Sequence, residues 1–425
     1  MLRTGKWRTD WAGRFGHVPP RHRAAASGKE KRPTILIHAV SLGEVNATRQ
    51  LVQELEGKMA ATEGGPDVRI VITTTTNTGF ARATELYGKR HAVLRYPLDF
   101  TRCVRRFLDA VRPDVVALVE LEIWPTFVEQ CAARGIPVCV INGRLSERSF
   151  KRYRLIRPFV RRSFASLAAA AVQTVDYAER FKAMGAAEEC VSVTDSMKWD
   201  TAQVTNPATI KGVKELATAM GINRDKPVIV AGSTGPGEER MLIETKPPGV
   251  QLILVPRKPE RFEEVAGAIA EATAQAMVVR RSQRPDGSTR LVDGTELFLL
   301  DTMGELRKAY AICDVAIVGR SFIDLYGSDP IEPIALGRAT IIGPRYGDFR
   351  EIVDTFRAED GIIVGDKPCE TAAALLADHD RARELAVNGQ RVILSRQGAT
   401  RRHVELILEL LSHPAATSHA ADVHD

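Results

Sequence analysis

The sequence predicts an α/β protein of two Rossmann-like domains, each a parallel sheet with crossover helices, and three observations carry that prediction. Short apolar runs alternate with helix-like stretches along most of the chain, the signature of βα units. The runs are apolar at nearly every position, as strands covered on both faces must be. The length of 425 residues exceeds what one hydrophobic core usually supports, so two domains of roughly 200 residues are expected.

The first series comprises TILIHAV (34–40), VRIVITTTT (68–76), AVLRYP (92–97), DVVALVELE (114–122) and IPVCVIN (136–142), each followed by a helical pattern. Near 199–210 the rhythm lapses into the polar segment WDTAQVTNP (199–207), which reads as a linker. A second series follows at PVIVAGS (227–233), VQLILVP (250–256), ELFLLD (296–301), CDVAIVG (313–319), ATIIG (339–343) and GIIVG (361–365), and 381–412 reads as helix. The expected organisation is a basic leader (1–32), a first domain (33–203), a second domain (204–412) and a disordered tail (413–425). Two such domains leave a cleft between the carboxyl ends of their sheets, where open α/β sheets bind ligands.

The six cysteines are scattered without a C-x-x-C or Cys/His cluster, which speaks against a zinc site or a disulfide framework and fits a reducing compartment. No stretch approaches the roughly 20 apolar residues of a membrane span, and the start lacks the apolar core of a signal peptide.

Charge is uneven. Residues 1–32 carry nine Lys/Arg against two acids, and 144–162 (RLSERSFKRYRLIRPFVRR) eight against one, while the remainder is net acidic. Such clusters suit an anionic surface or partner, although each could equally be a solvated face. In the second cluster Phe150, Tyr153, Ile156, Phe159 and Val160 interleave with Arg148, Lys151, Arg152, Arg154, Arg157, Arg161 and Arg162, giving an amphipathic helix suited to a membrane interface.

Several turns could carry chemistry. In HAVSLGE (38–44), Glu44 sits in the first turn of a helix after a buried strand, where the helix dipole favours an ionised carboxylate able to accept a proton. A glutamate is also common at helix starts for stability alone. In VELEIWP (119–125), Glu120 and Glu122 lie two apart on a strand, hence on one face, and paired buried acids are costly without cations, ligands or a shared proton. Lys198 in SMKWD (196–200) is placed to reach the cleft, or simply to be solvated. Arg257 in VPRKPERF (255–262) follows a strand and suits a phosphate clamp. DTMGEL (301–306), GSDPIEP (327–333) and AGSTGPGEE (231–239) look like strand-to-helix turns with free N–H groups for an anion, although Asp301 and Asp329 would also serve as plain N-caps.

Taken in order, HAVSLGEV, ELEIWP, NGRLSERS, VPRKPERF and DTMGEL resemble the 3-deoxy-D-manno-octulosonic acid (Kdo) transferases, and the resemblance runs from GKWRTDWAGRFG to GPRYGDF. It implies a GT-B glycosyltransferase with parallel sheets facing an interdomain cleft. The implied reaction is metal-independent, needs no cofactor, and transfers Kdo with inversion from CMP-Kdo to a lipid A precursor in lipopolysaccharide biosynthesis. Glu44 matches the family's proton acceptor. Glu122 and Lys198 match groups that stabilise the transition state, with Glu120 a further candidate. Pro256, Arg257, Met303, Gly304, Glu305, Asp329, Pro330, Ile331 and Glu332 match the CMP-binding segments. The basic 144–162 segment suits the anionic acceptor and an anionic membrane; no nucleic acid is implied.

The chain departs from the family at several places. Its members usually begin with a hydrophobic anchor, which is not seen at this start, so the expectation is either peripheral attachment at the cytoplasmic face of the inner membrane or a misassigned start. The usual S-T-H-E-G-E-E reads STGPGEE, with Gly235 and Pro236 for His and Glu. Lys258 replaces His in P-R-H-P-E-R-F, and Ser328 and Asp329 replace His and Asn in G-G-H-N-P-L-E-P. All fall in the donor domain. The alternatives are therefore a GT-B enzyme with another nucleotide-sugar donor, or a catalytically silent homologue that binds anionic membrane.

Overall fold

A computed structural model describes residues 10–24, 32–61, 68–273, 278–284 and 294–413. The expected tail, apart from His413, and much of the basic leader lie outside the described residues. The apolar runs are strands of two parallel sheets. β1 (Thr34–His38), β2 (Arg69–Thr74), β3 (Ala92–Arg95), β4 (Val115–Val119), β5 (Val138–Gly143), β6 (Ala169–Val172) and β7 (Val191–Val193) pair in the order β3-β2-β1-β4-β5-β6-β7. β8 (Val228–Thr234), β9 (Gln251–Pro256), β10 (Val279–Arg280), β11 (Leu297–Leu299), β12 (Val315–Val318), β13 (Ala339–Ile342) and β14 (Ile363–Val364) pair in the order β10-β11-β9-β8-β12-β13-β14. Each order reverses once, between β1 and β4 and between β8 and β12, and that reversal is where an open α/β sheet makes room for a ligand.

Strand alternation decides how the first sheet is covered. Leu36, Val71, Val116, Leu118 and Val140 face helices Thr101–Val111, Pro125–Ala132, Arg157–Ala165 and Val175–Met184. Ile35, Ile37, Ile72, Ala117, Cys139 and Ile141 face the other way, onto helices Leu42–Ala61 and Asn77–Tyr87. Over β4 and β5 a third helix shares that face. The remaining apolar surface is covered by Ala399, Val404 and Ile407 of the C-terminal helix Ala399–Ser412.

The chain accordingly divides into one unit of the described residues up to Thr201 together with those from Arg396 onward, and a second unit Ala202–Ser395. This corrects the expectation that 204–412 form one domain: the last helix returns to the first sheet and packs its apolar side over β4 and β5. The expected linker also begins too early. Trp199 and Asp200 are buried in the first unit, and Asp200 accepts the backbone N–H groups of Gly398 and Thr400, both at 2.6 Å.

In the second unit, Ile229, Leu252, Leu254, Leu299, Ile317 and Ile341 pack on helices Glu238–Thr245, Phe262–Thr273, Pro368–Ala377 and His379–Arg396. Val228, Val230, Ile253, Phe298 and Ala316 pack on Val213–Met220 and Leu306–Ile312. Among the described residues no helix is long and apolar enough to cross a membrane.

The described part of the leader is docked rather than loose. A guanidinium N–H of Arg14 donates to the Thr75 carbonyl at 2.9 Å and Arg106 donates to the Phe15 carbonyl at 3.0 Å.

Candidate active site

β1 and β4 lie side by side, with His38 opposite Leu118, so the turn after β1 and the loop after β4 emerge together at the first sheet's switch point. The turn is tightly held. Thr76 donates its hydroxyl to the Val40 carbonyl at 2.9 Å, and a Cβ on Gly79 would stand 2.8 Å from that same oxygen, so only glycine lets the next helix come this close.

Glu44 lies in the first turn of Leu42–Ala61. Its carboxylate accepts the Val40 N–H at 2.7 Å and the Ser41 hydroxyl at 2.8 Å, while Ser41 Oγ accepts the Glu44 N–H at 3.3 Å. This is a variant of the reciprocal capping box, so the stabilising role is real. Burial nevertheless raises the Glu44 pKa, against the pull of the bonds from Val40 and Ser41, and the charge of Glu120 adds to the rise. A cap that is also partly desolvated and beside a second acid has the properties of a proton acceptor.

Glu120 and Glu122 do not share one face of a strand as expected. β4 stops at Val119, and Glu120 has φ +64°, in the left-handed region that costs a non-glycine residue energy. Glu122 accepts the indole N–H of Trp124 at 2.8 Å. Burial pushes the Glu122 pKa up to about 7, with the charges of Glu44 and Glu120 adding to the rise and the Trp124 bond opposing it. The charges of Glu44 and Glu120 thus bear on Glu122, although a shared strand face was the wrong reason to group the acids.

Lys198 opens the short helix Lys198–Thr201, inside the first unit rather than on a linker. Its position is set from β5. The Asn142 side chain accepts the Met197 N–H at 3.0 Å, and the backbone N–H of Asn142 donates to Nε2 of His403 on the C-terminal helix at 3.2 Å. Helix Lys198–Thr201 packs against the helix that Glu44 opens.

In the second unit Pro256 ends β9 and Arg257 follows, exposed, its N–H donating to the Thr234 carbonyl at 3.1 Å. Met303 is exposed beside Gly304, whose φ is +83°. Glu305 accepts Thr302 Oγ at 2.6 Å, Arg281 Nε at 3.0 Å and Lys308 Nζ at 3.1 Å; burial works against them, but these bonds hold its pKa below the ordinary range. Asp329 accepts the Ile331 N–H two residues on at 3.0 Å, but it is not the expected N-cap: buried Pro330 holds that position before Ile331. Burial raises the Glu332 pKa, against the Arg307 charge. Asp301 is a structural anchor rather than a helix cap: it is buried and accepts Arg280 Nε at 2.8 Å and the Ser282 N–H and hydroxyl at 2.8 and 2.6 Å. Among the described residues no group of three or more His, Cys, Asp or Glu is arranged to hold a metal ion.

Two residues of this unit were missed from sequence. The Glu238 carboxylate accepts four backbone N–H groups, from Gly235, Arg320, Ser321 and Phe322, at 2.6–3.0 Å. Glu239 pairs bidentately with Arg261 at 2.6 and 2.9 Å. Together they fix the loops after β8 and β12, which flank the second sheet's switch point. The available signal was two acids in succession directly after Gly-Pro-Gly. At Gly235 a Cβ would meet Leu325 Cδ1 at 2.4 Å, so Leu325 stands where a larger residue would begin.

The basic 144–162 segment is not one helix. Helices Glu147–Leu155 and Arg157–Ala165 break at Ile156, where Pro158 supplies no N–H to continue the ladder. Phe150, Tyr153 and Val160 pack on the core. Leu155 and Phe159 are 82% and 79% exposed and Ile156 is exposed too, at a corner carrying exposed Arg152, Arg154, Arg161 and Arg162. Arg148 and Lys151 are exposed as well, with Lys151 paired to Glu147 at 2.7 Å, whereas Arg157 is half-buried and caps the Ala183 carbonyl at 2.7 Å.

A family model described as 3-deoxy-D-manno-octulosonic-acid transferase (kdotransferase) matches residues 9–201, the stretch that holds Glu44, Glu122 and Lys198. The 3-deoxy-D-manno-octulosonic acid transferase of Bordetella pertussis is 31% identical over 426 residues, covering 96% of this chain and 93% of that one. The chain belongs to the Kdo transferase family. The Haemophilus influenzae transferase is 30% identical over 383 residues, covering 88% and 86% of the two chains. Among solved structures, a UDP-GlcNAc 2-epimerase from Neisseria meningitidis superposes with a TM-score of 0.58 at 13% identity, covering 88% of this chain and all of that one. Acinetobacter baumannii MurG does so with 0.52 at 14%, covering 89% and 99%. At such identity these share the fold alone: two parallel-sheet α/β domains of the GT-B class. This Kdo transferase family member is thus a glycosyltransferase.

Proposed function

We propose that the chain transfers Kdo from CMP-Kdo to a hydroxyl of a lipid A precursor in lipopolysaccharide biosynthesis, with inversion and without a metal. Peripheral attachment at the cytoplasmic face of the inner membrane completes the reading. The observation that carries it is likeness to Kdo transferases over nearly the full chain together with interacting carboxylates at the first sheet's switch point. Glu44 takes the proton as the acceptor oxygen forms its bond to the anomeric carbon. The bond from that carbon to the CMP phosphate breaks at the same time, and CMP leaves with the electron pair. A placed base of this kind contributes typically 10²–10⁴-fold. Glu122 and Lys198 stabilise the transition state. Arg257 and the turns at 303–305 and 329–332 hold CMP, and Arg257 balances the phosphate charge by electrostatics that need no rearrangement.

The direct test is transfer by the purified protein from CMP-Kdo to a tetraacylated lipid A precursor. Absence of product with active relatives as controls would reject the reading. One observation favours a second: Leu325 fills the space beside Gly235, where the family usually carries histidine. A different nucleotide-sugar donor is that second reading, and faster transfer from another activated sugar than from CMP-Kdo would establish it.

A further inference from the structure

The His38 imidazole, in the same H-A-V-S-L-G-E turn as Glu44, has no part in the chemistry above, yet it is fully buried at the end of β1. Its ring stacks on Tyr96 with centroids 3.7 Å apart and planes 19° apart, so it has no room to turn. Nδ1 lies 3.2 Å from the Thr73 carbonyl and 3.1 Å from Thr73 Oγ1. The Thr73 hydroxyl directs its own hydrogen to the Ile37 carbonyl at 3.3 Å, so both neighbours of Nδ1 are acceptors. The proton therefore sits on Nδ1, and Nε2 presents a lone pair.

That lone pair is buried without a hydrogen-bond partner among the described residues, which ordinarily costs on the order of 1–3 kcal/mol. The nearest charged group is the Glu122 carboxyl, with Oε2 at 4.0 Å. Two acceptors face one another if Glu122 is ionised, and the contact becomes favourable only when Glu122 carries a proton. The separation exceeds a hydrogen bond by about 1 Å, which is the movement the carboxyl must make for its proton to reach Nε2. Burial also holds His38 at a pKa of about 3, so it stays neutral and cannot pair with a carboxylate as a cation.

We propose that His38 is a positioning residue for Glu122, whose proton its Nε2 accepts, so that Glu122 works as a neutral acid while Glu44 ionises to take the proton of the acceptor hydroxyl. Among the described residues, the other titratable groups whose charges couple to Glu122 are Glu44 from the helix turn after β1, Glu120 on its own loop, Tyr153 from helix Glu147–Leu155, and Tyr96 after β3. Two of these are acids and two are phenols that burial keeps protonated, so no cation among them offsets a charge on Glu122. Dividing two nearby carboxyls into one neutral and one ionised is how a site runs acid and base roles together. A neutral Glu122 also spares an anionic donor and acceptor one repulsive charge.

The inference rests on the proposed role of Glu122 in transfer, but its test needs no substrate. Trp124, which donates to Glu122, reports the protonation of that carboxyl as the fluorescence difference between the wild type and Trp124→Phe across a pH titration. A transition near pH 7 that disappears in Glu122→Gln is expected. His38→Phe keeps the stacked ring and removes the acceptor, and should lower the midpoint by about one pH unit, a tenfold loss of proton affinity. His38→Gln restores an acceptor near the Nε2 position and should bring the midpoint back toward the wild type. An unmoved midpoint in a folded His38→Phe protein overturns the proposal, because a purely structural histidine would leave it in place. If that variant does not fold, the wild type and Glu122→Gln decide: no Glu122-dependent transition above about pH 6 overturns it equally. Failure of CMP-Kdo transfer would leave these titrations untouched.

Discussion

Asp200 accepts the backbone N–H of Thr400 at 2.6 Å and, through its other oxygen, that of Gly398 at the same distance. The helix Ala399–Ser412 has no side-chain cap of its own, since Gly398 holds that position with φ +100°. Asp200 is thus its cap, supplied from the point where the chain leaves the first unit. Asp200→Ala orphans two N–H groups at a helix start and should cost about 2 kcal/mol. A urea midpoint for the first unit within error of the wild type would show that the helix is held by its apolar face alone.

The same contact marks the limit of what the sequence disclosed. The strands at 34–40 and 114–122 were legible because burial on both faces leaves little but Val, Ile, Leu and Ala in them. β6, Ala169–Val172, was not, because LAAAAV carries no period that separates strand from helix. That Glu44 and Glu122 come near one another was legible from their places after adjacent strands, yet the left-handed φ of Glu120 was invisible, since only tertiary packing forces a non-glycine residue there. The return of the last helix was equally hidden. An amphipathic helix announces that it has an apolar face, not which sheet the face will cover.

The capping role of Glu44 and its proposed role as base should be separable by one substitution. Glu44→Ala removes the bonds to Val40 and Ser41, so a loss of about 1 kcal/mol of stability is expected. Transfer should fall by roughly 10²–10⁴-fold. Turnover near that of the wild type in a folded Glu44→Ala protein would leave Glu44 a cap and nothing more.

Glu122 makes stability depend on pH in an unusual direction. Burial raises its folded-state pKa from 4.5 to about 7, so between those values the native state holds a proton that the unfolded chain has released. Stability from this group is greatest below the unfolded pKa and is lost as pH rises through about 7. The shift corresponds to about 3 kcal/mol, an order-of-magnitude figure. Glu122→Gln resembles the protonated acid, and should be more stable than the wild type at pH about 8 while the two converge at pH about 5. It should also be slower in transfer. Thermal midpoints at both pH values check this, and a Glu122→Gln protein no more stable at the higher pH would place the ordinary carboxylate pKa on Glu122.

Leu155 and Phe159 are exposed side chains with nothing of the protein over them, beside four exposed arginines. In water such a corner wastes apolar area, whereas at a lipid surface each chain buried adds roughly 1.5–3 kcal/mol and each arginine about 1 kcal/mol near anionic headgroups. The two contributions respond differently to salt. Electrostatic attraction between exposed charges weakens as the screening length shortens from about 10 Å at 0.1 M to about 3 Å at 1 M; apolar insertion does not. Leu155→Ser with Phe159→Ser should therefore weaken binding to anionic vesicles while leaving it salt-sensitive. Neutralising Arg152, Arg154, Arg161 and Arg162 to Gln should leave a weaker binding with much less salt dependence. Both variants change surface positions that do not pack on the core, so circular dichroism should match the wild type. Vesicle sedimentation reads all three proteins side by side, and equal binding by them would remove this corner as the membrane contact.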